Sequence, residues 1–138
     1  MGTSADSDLV HRFLRVVETG VVDDPTVFAD GYVYHDAMGN PHPLDEAIAM
    51  RRAINEALSE STMSIEDTIM TDEKMLFRWR SEGTHTGDLL GVPATNGRIS
   101  IRGVTIIHVM DGRVNEMWDY VDLLGVMQQL GVVPPFPG

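Results

Sequence analysis

Between Ser7 and Thr19 the apolar residues Leu9, Val10, Phe13, Leu14, Val16 and Val17 recur every three or four positions, behind two capping candidates, Ser4 and Ser7. That spacing is the period of a helix with one buried face, and Gly20 supplies its stop. Asp23-Asp24-Pro25 then reads as a cap and first-turn proline for a short helix carrying Val27 and Phe28. A small strand, Tyr32-Val33-Tyr34-His35, and a loop, Gly39-Asn40-Pro41-His42-Pro43, come next. Leu44 to Leu58 forms the second long helix, with Ile48, Ile54 and Leu58 facing inward and Arg51, Arg52 and Glu56 in solvent.

Beyond residue 62 the period changes. Met63–Thr71, Lys74–Gly83, Arg98–Met110 and Arg113–Val121 read as strands, separated by the turn signals Asp72-Glu73, Asn96-Gly97 and Asp111-Gly112. A short helix over 122–131 and a proline-rich tail, Pro134-Pro135-Phe136-Pro137, close the chain. Helices followed by long, hairpin-joined strands predict an α+β fold, with the helices packed on one face of a curved, mostly antiparallel sheet. All 138 residues are expected to form one domain, with tails at about 1–6 and 132–138.

Composition narrows the partners. Ten basic and twenty-one acidic side chains give a net charge of −11, which repels nucleic-acid phosphates and anionic lipid surfaces. The acids are spread along the chain and read as a solvated surface. No cysteine is present, so disulfides, thiolate nucleophiles and zinc–thiolate sites are excluded. No apolar run approaches the roughly 18–20 residues that cross a bilayer, and the start lacks a secretory pattern, so a cytoplasmic protein is expected. The five histidines, His11, His35, His42, His85 and His108, show no paired ligand spacing, and no metal is expected.

Several segments read together carry a resemblance: Gly83-Thr84-His85-Thr86-Gly87, Gly91-Val92-Pro93-Ala94-Thr95, Asp111-Gly112-Arg113, Glu116-x-Trp118 and Gln129-Leu130-Gly131, with a weaker echo in Tyr34-His35-Asp36. This ordered set resembles the SnoaL-like polyketide cyclase family. The resemblance implies a cone-shaped, nuclear-transport-factor-2-like α+β barrel whose sheet and helices enclose a pocket, usually in a homodimer. It also implies an intramolecular aldol condensation of a polyketide without cofactor or metal, with one aspartate as general acid/base. That aspartate falls on Asp119. The family's histidine on the penultimate strand becomes Thr105, and the histidine two residues before its aspartate becomes Met117.

Strand alternation puts Asn115, Met117, Asp119 and Val121 on one face and Glu116, Trp118, Tyr120 and Asp122 on the other. Asp119 thus stands among apolar neighbours, where burial raises a carboxyl pKa toward the value needed to take a proton from carbon. The plainer alternative is a strand-end carboxylate facing water or an arginine. An enolate needs hydrogen-bond donors, for which His85 is nominated as a catalytic partner and Tyr34, His35 and Thr105 as substrate contacts. Met117 and Trp79 complete the expected substrate wall for an aromatic or polyketide-like small molecule. His108, three positions from Thr105, faces away from it unless a bulge resets the register.

The remaining candidates have structural readings. Asp122, ahead of Leu123-Leu124-Gly125, suits a helix N-cap. Arg78 and Arg80 share a face suited either to an anionic ligand or to salt bridges, and Trp118 and Tyr120 suit packing or a dimer interface. Two other functions stay open at this level. One is a non-catalytic ligand-binding protein; the other is epoxide hydrolase- or isomerase-type chemistry, whose Arg-x-Asp strand pair is here Arg78-x-Arg80.

Overall fold

The computed structural model describes residues 3–134, with side chains from residue 7 onward. Helix α1 (Thr3–Thr19) is followed by a 3-10 turn (Pro25–Val27), strand β1 (Phe28–His35) and a short strand β2 (Pro41–His42). Helix α2 (Leu44–Ala57) then leads into β3 (Leu58–Met70), β4 (Lys74–His85), β5 (Arg98–Met110), β6 (Arg113–Val121) and a last helix, α3 (Leu123–Gln129). The six strands form one sheet in the order β2-β1-β6-β5-β4-β3. Every neighbouring pair is antiparallel except β1 with β6. The chain is α+β, as the helix-then-strand pattern predicts.

Strands β5 and β6 begin and end where the alternation places them, because a tight Asp111-Gly112 turn, both residues at positive φ, sets their register. β3 differs. It starts at Leu58 directly from α2 rather than at Met63, through the polar stretch Ser59-Glu60-Ser61-Thr62, which carries no apolar alternation. Backbone pairing with the end of β4 holds that stretch, with a break in register between Ser59 and Thr62. β1 likewise begins at Phe28, four residues early, because Phe28 pairs with Val114 of β6.

One face of the sheet is covered by the helices. Leu9, Phe13 and Val16 of α1 pack on Phe28, Tyr32, Met75, Phe77, Ile107 and Val114, and Ala47 and Ile48 of α2 join this cluster. A second cluster gathers Ala57, Leu58, Leu89, Ile99, Val126 and Leu130 at the other end, with Ile54 against it. Burying the apolar face of each helix supplies most of its stability, since helices this short are marginal alone. Asp122 caps α3 by accepting the Gly125 N–H at 2.9 Å. A Cβ on residue 125 would lie 2.4 Å from the Asp122 carboxylate, so this cap requires glycine. Among the described residues no helix is long and apolar enough to cross a membrane. The tail at 135–138 lies outside the described residues.

Candidate active site

Cross-strand partners project to the same side of a sheet. Asp119 faces Thr105, Thr105 faces Phe77, and Met117 stands between Ile107 and Tyr34, so these side chains share the helix-covered face. Trp79, two positions from Phe77, joins them. Four strands thereby deliver Tyr34, Trp79, Thr105, Met117 and Asp119 to one interior region.

The hydrogen bonds there form a directed chain. Trp79 donates its Nε1–H to Thr105 Oγ1 at 2.9 Å, and the Thr105 hydroxyl donates to Asp119 Oδ1 at 2.5 Å. Thr105 has one proton; with its oxygen accepting from the indole, that proton is committed to the carboxylate. Tyr34 donates its hydroxyl to the other carboxylate oxygen, Oδ2, at 2.7 Å. Tyr32 reaches the Met117 sulfur at 3.6 Å. Gly103 makes room for the indole: a Cβ there would lie 2.5 Å from Trp79 Cζ2 and 2.8 Å from the Tyr120 carbonyl oxygen.

Burial pushes the Asp119 carboxyl above the usual aspartate range, outweighing the opposing hydrogen bonds from Thr105 and Tyr34 and the charge of Arg51. The Tyr34 and Tyr32 hydroxyls are pushed up as well, first by burial and then by the negative charge of Asp119. Both tyrosines therefore stay protonated and act as donors. The result is a half-buried carboxylate held by two hydroxyls, with a raised affinity for a proton.

Arg51 corrects the assignment to solvent. It stands on the inward stripe of α2, three residues from Ile48 and three from Ile54, and its charge is felt by both Asp119 and Tyr34. The helical spacing contained that signal, but residue type overrode it. Long basic side chains usually run their stems along apolar surface and release the charge to water, and here the helix face points into the core.

Two nominated residues do not join the cluster. His35 follows Tyr34 and so projects from the opposite, outer face, where it bonds Glu116 at 2.6 Å and stacks on Trp118 with ring centres 4.8 Å apart. His108 meets the same indole at 4.6 Å, which settles its direction away from Thr105. His85 is 0% exposed but lies eight strand positions from Phe77, roughly 25 Å along β4. Its Nδ1 accepts the Thr95 backbone N–H at 3.2 Å, pinning the loop after β4 rather than facing Asp119. Arg78 and Arg80 both pair with Glu66, at 3.0 and 3.6 Å. Two clefts on the outer side, bordered by Arg80, Arg102 and Asp122, do not open onto Asp119.

Comparison with known proteins identifies the family and the fold. The chain is 28% identical over 142 residues to the aklanonic acid methyl ester cyclase DnrD of Streptomyces peucetius, spanning 97% of this chain and 96% of that protein. It is 30% identical over 138 residues to the aklanonic acid methyl ester cyclase AcmA of Streptomyces galilaeus, spanning 93% and 90%. The solved structure of TsrD from Streptomyces laurentii shares the fold, with a TM-score of 0.78 at 24% identity over 96% of this chain and 99% of that one. The family model for SnoaL-like polyketide cyclases matches residues 7–130, from the first turn of the apolar stripe in α1 to the end of α3, and the chain belongs to that family.

Proposed function

We propose that the protein is a cofactor-independent polyketide cyclase that closes a ring by intramolecular aldol condensation, with Asp119 as general acid/base. The observation that carries this reading is the Asp119 carboxyl: half-buried, raised in pKa by desolvation, and bonded on each oxygen by a hydroxyl donor. A carboxylate in that state can take a proton from a carbon flanked by carbonyls. The C–H electron pair moves onto the neighbouring carbonyl oxygen, giving an enolate and protonated Asp119. The enolate carbon then attacks a second carbonyl, and the new alkoxide takes the proton back from Asp119.

Tyr34 and Thr105 hold the carboxylate in place, while Trp79 and Met117 offer flat and deformable apolar surface to an aromatic substrate. The curated relatives are named for aklanonic acid methyl ester, so an aromatic polyketide methyl ester is the substrate class we assign. A homodimer fits the outer face, where Trp118 is half-buried and Tyr120 is 59% exposed.

The test is turnover of a panel of aromatic polyketide methyl esters, epoxides and ketosteroids by wild type and Asp119→Asn. Cyclisation of a methyl ester by the wild type, lost in the variant, is the expected result. Wild-type turnover retained by Asp119→Asn would sink the assignment. Consumption of epoxides alone would replace aldol chemistry with hydrolysis, and binding without turnover would make the protein an accessory.

A further inference from the structure

The geometry points to Arg51 as the residue that binds the substrate oxygen on which negative charge develops, and thereby selects substrates presenting two coplanar oxygens, as a 1,3-dicarbonyl or an ortho- or peri-hydroxyketone does. This inference rests on the cyclase reading above. Arg51 sits at the seam between the two apolar clusters, with Ile48 packed in one and Ile54 in the other. Its Nε is buried and has no hydrogen-bond partner among the described residues. The next residue shows how differently an arginine is used on the same helix: Arg52 is exposed and donates to the Gly20 carbonyl at 2.7 Å. Arg12, Arg15, Arg78, Arg80 and Arg102 each pair with a carboxylate.

A buried N–H without a partner is costly, because it has left water and gained nothing, and the Arg51 Nε on its half-buried side chain is in that state. The charge of Arg51 acts on Asp119 and Tyr34, yet no ion pair within 4.0 Å joins it to Asp119. The carboxylate's oxygens are already held by Thr105 and Tyr34. The guanidinium thus has an unpartnered, buried Nε–H beside the Asp119 region, yet is separated from the base it would otherwise neutralise.

Proton transfer fits that separation. Before reaction the negative charge is on Asp119; once the C–H proton has moved to the carboxylate, the charge is on the enolate oxygen. Arg51 then faces an anion instead of a neutral acid, so its interaction is stronger in the transition state than with bound substrate. A planar guanidinium donates two parallel N–H bonds, which match two coplanar oxygens better than a single carbonyl.

The probe is 1,2-dihydroxyanthraquinone, whose ionisation changes its visible absorption. It is titrated between neutral and acid pH while bound to wild type, Arg51→Met, Arg51→Lys and Asp119→Asn, each checked for folding by circular dichroism. The wild type should hold the dye as phenolate to a pH about one unit or more below that of Arg51→Met, equivalent to about a tenfold change in ionisation ratio. Arg51→Lys, which keeps charge without the fork, should fall between. If Arg51→Met does not fold, an Arg51→Lys titration identical to wild type overturns the proposal. Equal dye titration in wild type and Arg51→Met overturns it too, as does a wild type that fails to bind the dye. Asp119→Asn should still favour the phenolate, so loss of cyclase activity at Asp119 and loss of anion binding at Arg51 are read separately.

Discussion

Residues 34 and 35 of β1 and residues 116 and 119 of β6 build two carboxylate contacts on opposite sides of one sheet. On the helix-covered side Tyr34 bonds Asp119, and on the outer side His35 bonds Glu116. The distances are alike, 2.7 and 2.6 Å. The surroundings are not. His35 and Glu116 keep 24% and 33% of their side chains exposed, whereas Asp119 is desolvated and its proton affinity is raised. Acid–base capacity here follows from which face a side chain takes, more than from whether it has a partner.

The sharpest way to break that contrast is to neutralise each carboxylate. Asp119→Asn should lower cyclisation by about a hundred- to ten-thousandfold, the usual contribution of a positioned general base, while Glu116→Gln should leave steady-state rates within about twofold. Stability should move the other way. Folded Asp119 holds its proton more tightly than the unfolded chain does, so its contribution is full below the ordinary aspartate pKa and fades as pH rises through the folded value. Asp119→Asn should therefore melt at or above the wild-type temperature near neutral pH, measured by calorimetry. A clear fall in melting temperature there would show that the carboxylate is structurally required.

A smaller effect separates the base from its holders. Thr105→Val removes the hydroxyl that lowers the Asp119 pKa, so turnover should drop by about tenfold, as expected for losing a hydrogen bond to a charged group. The rate should still climb with pH, since the carboxylate is the active form, and that climb should shift to higher pH. An unshifted profile would show that the Thr105 hydroxyl does not set the proton affinity of Asp119. Gly103→Ala pushes on Trp79 and the Tyr120 carbonyl, and should cost about 1–3 kcal/mol in denaturant unfolding.

The least effect is expected at the sheet edge. His42 bonds Asp36 at 2.7 Å and Glu46 at 3.0 Å, and these two partners raise its pKa. The stability it adds is present below the unfolded histidine pKa and is lost as pH rises through the higher folded value. Asp36 is partly opposed by burial, but bonds from His42 and from the Asn40 and Met38 N–H groups hold it low, so its contribution is lost as pH falls. His42→Ala should lower the melting temperature more at pH 6 than at pH 9. An equal loss at both would mean that packing on Tyr34, not charge, is what the ring supplies.

Periodicity by itself determined α1, α2, β5 and β6, because their apolar spacing and turn residues are local properties of the chain. It also determined that Met117 and Asp119 share a face, since alternation within a strand needs no partner. The resemblance carried by the Gly-rich bends and Glu116-x-Trp118 pointed to the family. Tertiary structure alone decided the rest. The parallel pairing of β1 with β6 chose Tyr34 over its neighbour His35, because register between distant strands sets which of two adjacent residues turns inward. The length of β4 carried His85 away from the carboxylate, into the second cluster's end of the sheet. Packing of α2 across the seam took the Arg51 Nε out of water, a result that no local pattern of charge could state, since a residue's solvation belongs to whatever the fold sets against it.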